Sequence, residues 1–319
     1  MPLSISRRVI LQSGTALLAA FGLGTTRAAQ AGNVLRIGYQ KYGTLILLKG
    51  KGTLEKALEP LGFTVEWTEF PAGPQLLEGL NVGAIDFGST GEAPPIFAQA
   101  AGAPLVYVAH EPPAPKGEAI LVKPDSPITS LDQLKGKKIA LNKGSNVHYL
   151  LVKALEKAGV AYQDITPVFL PPADARAAFE QGSVDAWAIW DPFQAAAEAA
   201  TGARTLTNGE GLVANHQFYL GAKPFVDANP QVIDAVVAQI AELGAWANGN
   251  TDQVAEQLSA SVKIPAPILK VALERQAFGV KPLSDEVVAQ QQKIADSFLA
   301  LGLIPKSISV ADAVRKVSA

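Results

Sequence analysis

One short string occurs twice in this chain. Leu80-Asn81-Val82-Gly83-Ala84-Ile85-Asp86 is matched ninety-nine residues later by Phe179-Glu180-Gln181-Gly182-Ser183-Val184-Asp185. Each copy reads as a helix end, a glycine stop and the apolar start of a buried strand. Glycine is wanted at the stop because a closing helix turns left-handed there, where a side chain is costly. The same offset sets Glu92 opposite Asp191, each directly after a strand and directly before a proline-started helix. A helix-stop-strand unit repeated at this spacing needs a sheet to receive each strand, so the chain is expected to fold as two α/β lobes of one plan.

The hydrophobic period extends that plan. Strand-like alternation or apolar runs occur at 34–38, 63–70, 85–87 and 105–109, with helical spacing between them at 45–58, 75–82 and 94–101. An extended run at 118–122 and a short helical turn at 131–136 lead into a second series. It has strands at 138–141, 165–170 and 184–190 and helices at 145–158, 173–181 and 192–200. Beyond about Phe218 the pattern is almost wholly helical, with Asn229-Pro230 opening a helix to about Ala247 and further helices at 251–261, 265–276 and 284–301. The stripe of Val232, Val236, Val237, Ile240 and Leu243 is read as core packing. The economical topology ends on the first lobe. Lobe 1 is therefore expected over 32–122 plus 219–319 and lobe 2 over 123–218, with crossings near Lys123 and Phe218.

Composition narrows the function classes. The 319 residues, 48% apolar and 18% charged, have enough material for two cored domains, which rules out disorder. Lys and Arg number 27 against 29 Asp and Glu, so no basic excess is present to neutralise a phosphate backbone, and nucleic acid is not an expected partner. The absence of cysteine excludes disulfides, thiolate metal sites and thiol nucleophiles. His110, His148 and His216, far apart in sequence, leave little for a histidine metal centre. No metal and no cofactor is expected.

Residues 1–31 read as a cleavable export signal. Arg7-Arg8 precede an apolar stretch whose heart, Ala16 to Leu23, is far shorter than the roughly 20 residues of a membrane span. Ala29-Gln30-Ala31 is a small-residue cleavage pattern. Ser6-Arg7-Arg8-Val9-Ile10-Leu11-Gln12 resembles a twin-arginine signal, which a receptor reads on folded cargo; a Sec signal with two arginines is the alternative. Cleavage removes Arg7, Arg8 and Arg27 and no acid, leaving 24 basic against 29 acidic side chains. Without cysteine no lipoprotein anchor can form, and a free, monomeric chain in the periplasm is expected.

In open α/β sheets ligands bind beyond the carboxyl ends of strands, where helix N-termini present unpaired N–H groups and partial positive charge. The sequence supplies several such edges. They are Tyr39-Gln40-Lys41, Phe70-Pro71-Ala72-Gly73, Gly88-Ser89-Thr90-Gly91-Glu92, Asn142-Lys143-Gly144-Ser145-Asn146-Val147-His148 and Trp190-Asp191-Pro192-Phe193. Ser89-Thr90-Gly91 and Gly144-Ser145-Asn146 combine small residues, hydroxyls and free N–H groups, which suits a tetrahedral oxyanion; plain helix capping is the simpler reading of either alone. Trp187 and Trp190 point to opposite faces of one strand. Trp190, at its carboxyl end, is expected as an apolar wall and Trp187 as core. Phe70 is a second wall or a core filler. His148 is an anion donor or a helix-surface histidine. Glu92 and Asp191 form a carboxylate pair across the cleft or cap their helices. Catalysis has little support: Ser145 and His148 lack an orienting carboxylate in sequence, and no Gly-x-Ser-x-Gly elbow occurs.

At these segments the chain resembles the aliphatic sulfonate-binding proteins of ABC importers, within the group that includes taurine and nitrate binders. The likeness runs through Arg36-Ile37-Gly38-Tyr39-Gln40-Lys41, Phe70-Pro71-Ala72-Gly73-Pro74-Gln75 and Gly88-Ser89-Thr90-Gly91-Glu92-Ala93-Pro94-Pro95. It continues through Glu111-Pro112-Pro113, Lys143-Gly144-Ser145, Pro172-Ala173-Asp174-Ala175-Arg176 and Asp185-Ala186-Trp187-Ala188-Ile189-Trp190-Asp191-Pro192, with the C-terminal third matching loosely. The family often has Asp where Glu92 stands and a run of serines where Ser145-Asn146-Val147 stands. The resemblance implies a type II periplasmic-binding fold, two α/β lobes hinged by two crossings around a ligand cleft, with an alkanesulfonate as ligand and an importer permease as partner. The ligand residues it points to are Gln40, Phe70, Ser89, Thr90, Gly91, Glu92, Gly144, Ser145, Asn146, His148, Trp190 and Asp191. A nitrate or taurine binder is the near alternative. An enzyme on the same scaffold is the distant one, and its sulfinate-cleaving representatives use a cysteine this chain lacks.

Overall fold

The repeat is written into the hydrogen bonding of two sheets. In the first, Asp86 accepts from the Arg36 N–H at 2.9 Å and its own N–H donates to the Arg36 carbonyl at 2.8 Å. In the second, Asp185 accepts from the Lys138 N–H at 2.7 Å and donates to the Lys138 carbonyl at 2.8 Å. Each aspartate thus locks the start of its strand onto the neighbouring parallel strand. The glycines three residues earlier, Gly83 and Gly182, have φ of 72° and 76°, the left-handed turn a helix stop requires.

The computed structural model describes residues 33–316; the expected export signal lies outside them. The chain runs β1 (Asn33–Tyr39), α1 (Gly43–Lys51), α2 (Thr53–Leu58), β2 (Phe63–Glu69), α3 (Gly73–Asn81), β3 (Phe87–Gly91), α4 (Ala93–Ala100) and β4 (Leu105–His110). It crosses to β5 (Glu118–Val122), β6 (Lys138–Leu141), α5 (Asn146–Ala158), β7 (Thr166–Phe169), α6 (Pro172–Gln181), β8 (Ala186–Trp190), α7 (Phe193–Thr201) and β9 (Arg204–Asn208). It returns through β10 (Gln217–Ala222) and ends in α8 (Lys223–Ala228), α9 (Pro230–Gly249), α10 (Thr251–Val262), α11 (Ala266–Glu274) and α12 (Asp285–Ala300).

The sheet orders are β2-β1-β3-β10-β4 and β7-β6-β8-β5-β9. The two plans coincide: three parallel strands, then an antiparallel one. In both sheets that antiparallel strand is the one arriving from the other lobe. The crossings therefore occupy 111–117 and 209–216, several residues before Lys123 and Phe218. The run at 118–122, expected in lobe 1, pairs instead with β8 and β9 in the second sheet. Strand β10, which the helical reading of the tail concealed, lies between β3 and β4. A buried run as short as Phe218-Tyr219-Leu220 carries no period that separates strand from helix.

Helix α9 packs on α1 and α2, and α12 packs on α4, so most of the tail completes lobe 1. Helix α11 also packs on α7 of lobe 2. Val232, Val236, Ile240 and Leu243 are buried in the lobe 1 core. Trp187 is fully buried in lobe 2 with its ring centroid 5.8 Å from that of Phe179.

Candidate functional site

The carboxyl ends of β1, β3, β6 and β8 face one cavity. Its wall carries the N-terminal ends of five helices: Gly43 of α1, Gly73 of α3, Gly91 and Pro94 at α4, Ser145 and Asn146 at α5, and Asp191 before α7. First-turn N–H groups have no partner inside their own helix, so each end offers donors and partial positive charge. Neutral amides complete the lining: Gln40, Asn146, Asn215, Gln217 and Gln276. Gln40 is fixed by donating to the Ser89 carbonyl at 3.0 Å, and Gln217 by donating to the Tyr42 hydroxyl at 2.8 Å.

Among the described residues no Lys, Arg or His lines this wall. Its two ionisable acids are both occupied. Glu111 is buried and accepts from the hydroxyls of Thr44 and Tyr219, and burial pushes its carboxyl above the ordinary range. Asp191 accepts from the Ala195 N–H at 3.0 Å in the first turn of α7 and pairs with Arg275 at 3.4 Å. Burial outweighs that guanidinium and pushes Asp191 up to about 6. Arg275 also binds Glu198 at 2.7 Å, so the cation paired with Asp191 is shared between two carboxylates.

Trp190 lines the cavity, 8% exposed, edge-on to Phe193 with centroids 6.1 Å apart. Ser145 also lines it. Its hydroxyl donates to the Asn142 carbonyl at 2.7 Å instead of capping α5.

Of the twelve expected ligand residues, Gln40, Gly91, Ser145, Asn146, Trp190 and Asp191 meet on this wall, and six do not. Ser89 and Thr90 fall within β3, whose side chains leave sideways from the sheet, whereas the cavity lies beyond the strand end and is reached by Gly91. Thr90 is fully buried and its hydroxyl donates to the Gly91 carbonyl at 3.0 Å. Phe70 fills the lobe 1 core. Its ring sits so close to Gly38 and Gly79 that a Cβ there would meet it at 3.1 and 2.8 Å.

His148 is fully buried. Its Nδ1 accepts from the Gly144 N–H at 3.2 Å, its Nε2 lies 2.8 Å from the Tyr162 hydroxyl, and the ring stacks on Phe97 of lobe 1. Gly144 turns back against Phe97 and adds nothing to the wall. Glu92 lies behind the start of α4, accepting from the His216 N–H at 3.0 Å, and burial pushes it up to about 7. Glu92 lines a second pocket with Tyr149 and residues 211–214 instead of facing the cavity that Asp191 lines.

Wall residues that sequence reasoning passed over are Tyr42, Gly43, Asn215, Gln217 and Gln276. The first two precede the expected helix start at Leu45, and Asn215 and Gln217 sit where β10 was hidden. Gln276 lies just beyond α11, at the end of the helix expected over 265–276.

Comparison with known proteins is in keeping with this site. The profile of the NMT1/THI5-like family matches residues 62–250. The aliphatic sulfonates-binding protein of Escherichia coli is 46% identical over 305 residues, 95% of each chain. The alkanesulfonate-binding protein SsuA from Xanthomonas axonopodis pv. citri, solved bound to MOPS, superposes with a TM-score of 0.85 at 42% identity, covering 89% of this chain and 98% of that one. The crystal structure of the periplasmic aliphatic sulphonate-binding protein SsuA from Escherichia coli gives 0.82 at 46% identity, covering 90% and 93%.

Proposed function

This chain belongs to the NMT1/THI5-like family and, within it, to the aliphatic sulfonate-binding proteins, and from that membership we propose that it captures alkanesulfonates in the interlobe cavity and delivers them to the permease of an ABC importer. The observation that carries the reading is the wall itself: five helix N-termini and the neutral amides of Gln40, Gln217 and Gln276, with no Lys, Arg or His among the described residues. A sulfonate is a monoanion at every biological pH and donates no hydrogen bond, so neutral donors and helix dipoles suffice to hold it. A divalent sulfate or phosphate needs more charge compensation than this wall supplies. Capture and delivery make and break no covalent bond. The work is transport, in the service of sulfur supply.

The tail is expected to lie along Trp190. Calorimetry of the mature chain against methanesulfonate through octanesulfonate should give affinities rising with chain length, each buried methylene contributing about 0.8 kcal/mol. Sulfate and nitrate should bind at least roughly tenfold more weakly than any of them, since one lacks compensation and the other lacks the tetrahedral head. Trp190→Ala should flatten the slope and leave methanesulfonate nearly untouched. Equal binding of nitrate would move the reading to a general small-anion binder, and parallel slopes would return Trp190 to the core.

The working compartment is the periplasm, reached through the twin-arginine route. Changing Arg7 and Arg8 together to Lys should abolish export without affecting the folded domain, because a receptor reads the pair. Periplasmic fractionation measures this, and normal levels of the variant would mean Sec export.

A further inference from the structure

We propose that the side chain of Asn146 is a latch between the lobes, a positioning residue that fastens the start of α5 to lobe 1 and to both crossings, instead of a donor to the anion. Asn146 opens α5 in lobe 2 and is buried. Its Oδ1 accepts from the N–H of Ala93, the first residue of α4 in lobe 1, at 3.2 Å. Its Nδ2 donates to Asn215 Oδ1 in the second crossing at 2.6 Å, and Asn215 Nδ2 donates onward to the Ala114 carbonyl in the first crossing at 2.9 Å. Asn215 adopts φ of 54°, a left-handed conformation that asparagine tolerates better than most residues and that needs surrounding contacts to hold it. The Asn146 amide lies flat on Gly91 of lobe 1, close enough that a Cβ there would fall 2.0 Å from Nδ2.

This one amide therefore supplies, to the other lobe, the cap that the α4 N-terminus lacks in its own sequence, and it reaches the two strands of chain that must bend when the lobes part. Its oxygen and one of its N–H groups are engaged by protein only when the cleft is shut. Lobe separation breaks both bonds, so the chain carries part of its own closing free energy before any sulfonate arrives. Because the observed affinity scales with the closed fraction, the latch sets how long a captured sulfonate is retained.

The kinetic consequence rests on the sulfonate reading, whereas the shape consequence does not, and the two are measured separately. X-ray scattering of the ligand-free mature chain should show a larger radius of gyration for Asn146→Ala than for the natural chain, and the same value for both at saturating methanesulfonate. Stopped-flow Trp fluorescence should show methanesulfonate leaving Asn146→Ala about 10- to 30-fold faster, the worth of two hydrogen bonds, with association changed less than about twofold. The Asn146→Ala/Asn215→Ala double variant should be little worse than Asn146→Ala alone, because both changes cut one chain of bonds. An unchanged ligand-free radius, with the loss in association and additive with Asn215→Ala, would overturn the latch and make Asn146 an anion donor. Failure of the natural chain to bind methanesulfonate would count against the sulfonate reading alone.

Discussion

Gly91→Ala is expected to weaken capture of every alkanesulfonate by about 100-fold or more, close to 3 kcal/mol, while the ligand-free protein keeps its melting temperature. The added Cβ would lie 2.0 Å from Asn146 Nδ2 and 2.2 Å from its Cγ and Oδ1. The amide cannot swing aside without releasing both Ala93 and Asn215, so the lobes are held apart and the α5 N-terminus stays off the anion. The three atoms nearest the methyl all belong to Asn146 of lobe 2, Gly91 has no left-handed φ, and alanine in a strand is less costly than glycine. Gly73→Ala is the contrasting control. Its Cβ would meet Pro94 at 2.8 Å and Thr90 at 3.1 Å, both within lobe 1, so it should lower the melting temperature directly. Calorimetry beside thermal melting separates the two. Recovery of Gly91→Ala/Asn146→Ala to the affinity of Asn146→Ala alone would locate the clash, and binding by Gly91→Ala within tenfold of the natural chain would show that the amide moves freely.

What the sequence disclosed and what it hid divide along physical lines. The repeated string around Gly83 and Gly182 announced two equivalent lobes because a helix stop and a buried strand start are local events, set by φ and apolarity within a few residues. The equivalence of Asp86 and Asp185 in hydrogen bonding follows from that same local pattern. Strand β5, read as an extended run but placed in lobe 1, and strand β10, hidden in the helical tail, pair antiparallel with residues about 70 and 130 positions away, and only the partner shows which sheet owns them. The site divided similarly. Gly91, Ser145 and Asp191 were legible as residues at strand ends, where any α/β fold places its ligands. Ser89 and Thr90 were credited for their hydroxyls, but a strand interior sends its side chains into the layers above and below. His148 looked like an anion donor and is a core group, because α5 turns that face onto Phe97 of the other lobe, a contact without trace in the chemistry of residues 142–148. Asn215 and Gln276 reach the wall only through tertiary packing.

Heat stability is expected to fall as pH rises from 6.5 to 8, and Glu92→Gln and Glu118→Gln should each remove part of that fall. Glu118 is fully buried beside β8, cross-strand from Trp190, and neither of its carboxylate oxygens has a protein partner. Burial, reinforced by Glu92, pushes it well above the ordinary range. Glu92 itself is pushed up to about 7 and Asp191 to about 6. Each of these acids holds its proton in the folded chain at pH values where the unfolded chain has released it. The folded state then binds more protons, so stability is fully present below the unfolded values and is lost as pH climbs through the folded ones. His148 opposes them: burial pushes it down to about 4, so its contribution is present above the unfolded value of 6.5 and is lost on acidification. His110, also pushed down by burial, acts in the same sense. By about pH 7.5 the unfolded His148 and His110 have also lost most of their protons, and the slope beyond that belongs to the acids.

One pKa unit is about 1.4 kcal/mol, so the Glu92 displacement spans on the order of 3 kcal/mol, roughly 5 to 10 °C of melting temperature in a chain of this size. The stability of Glu92→Gln relative to the natural chain should therefore rise by about that much between pH 5 and pH 8. Sulfonate affinity should fall over the same interval, because the ligand keeps its charge while negative charge appears behind the wall that holds it. Melting curves that stay parallel for the natural chain and both variants from pH 5 to pH 8 would mean that these carboxyls ionise alike in the folded and unfolded chains.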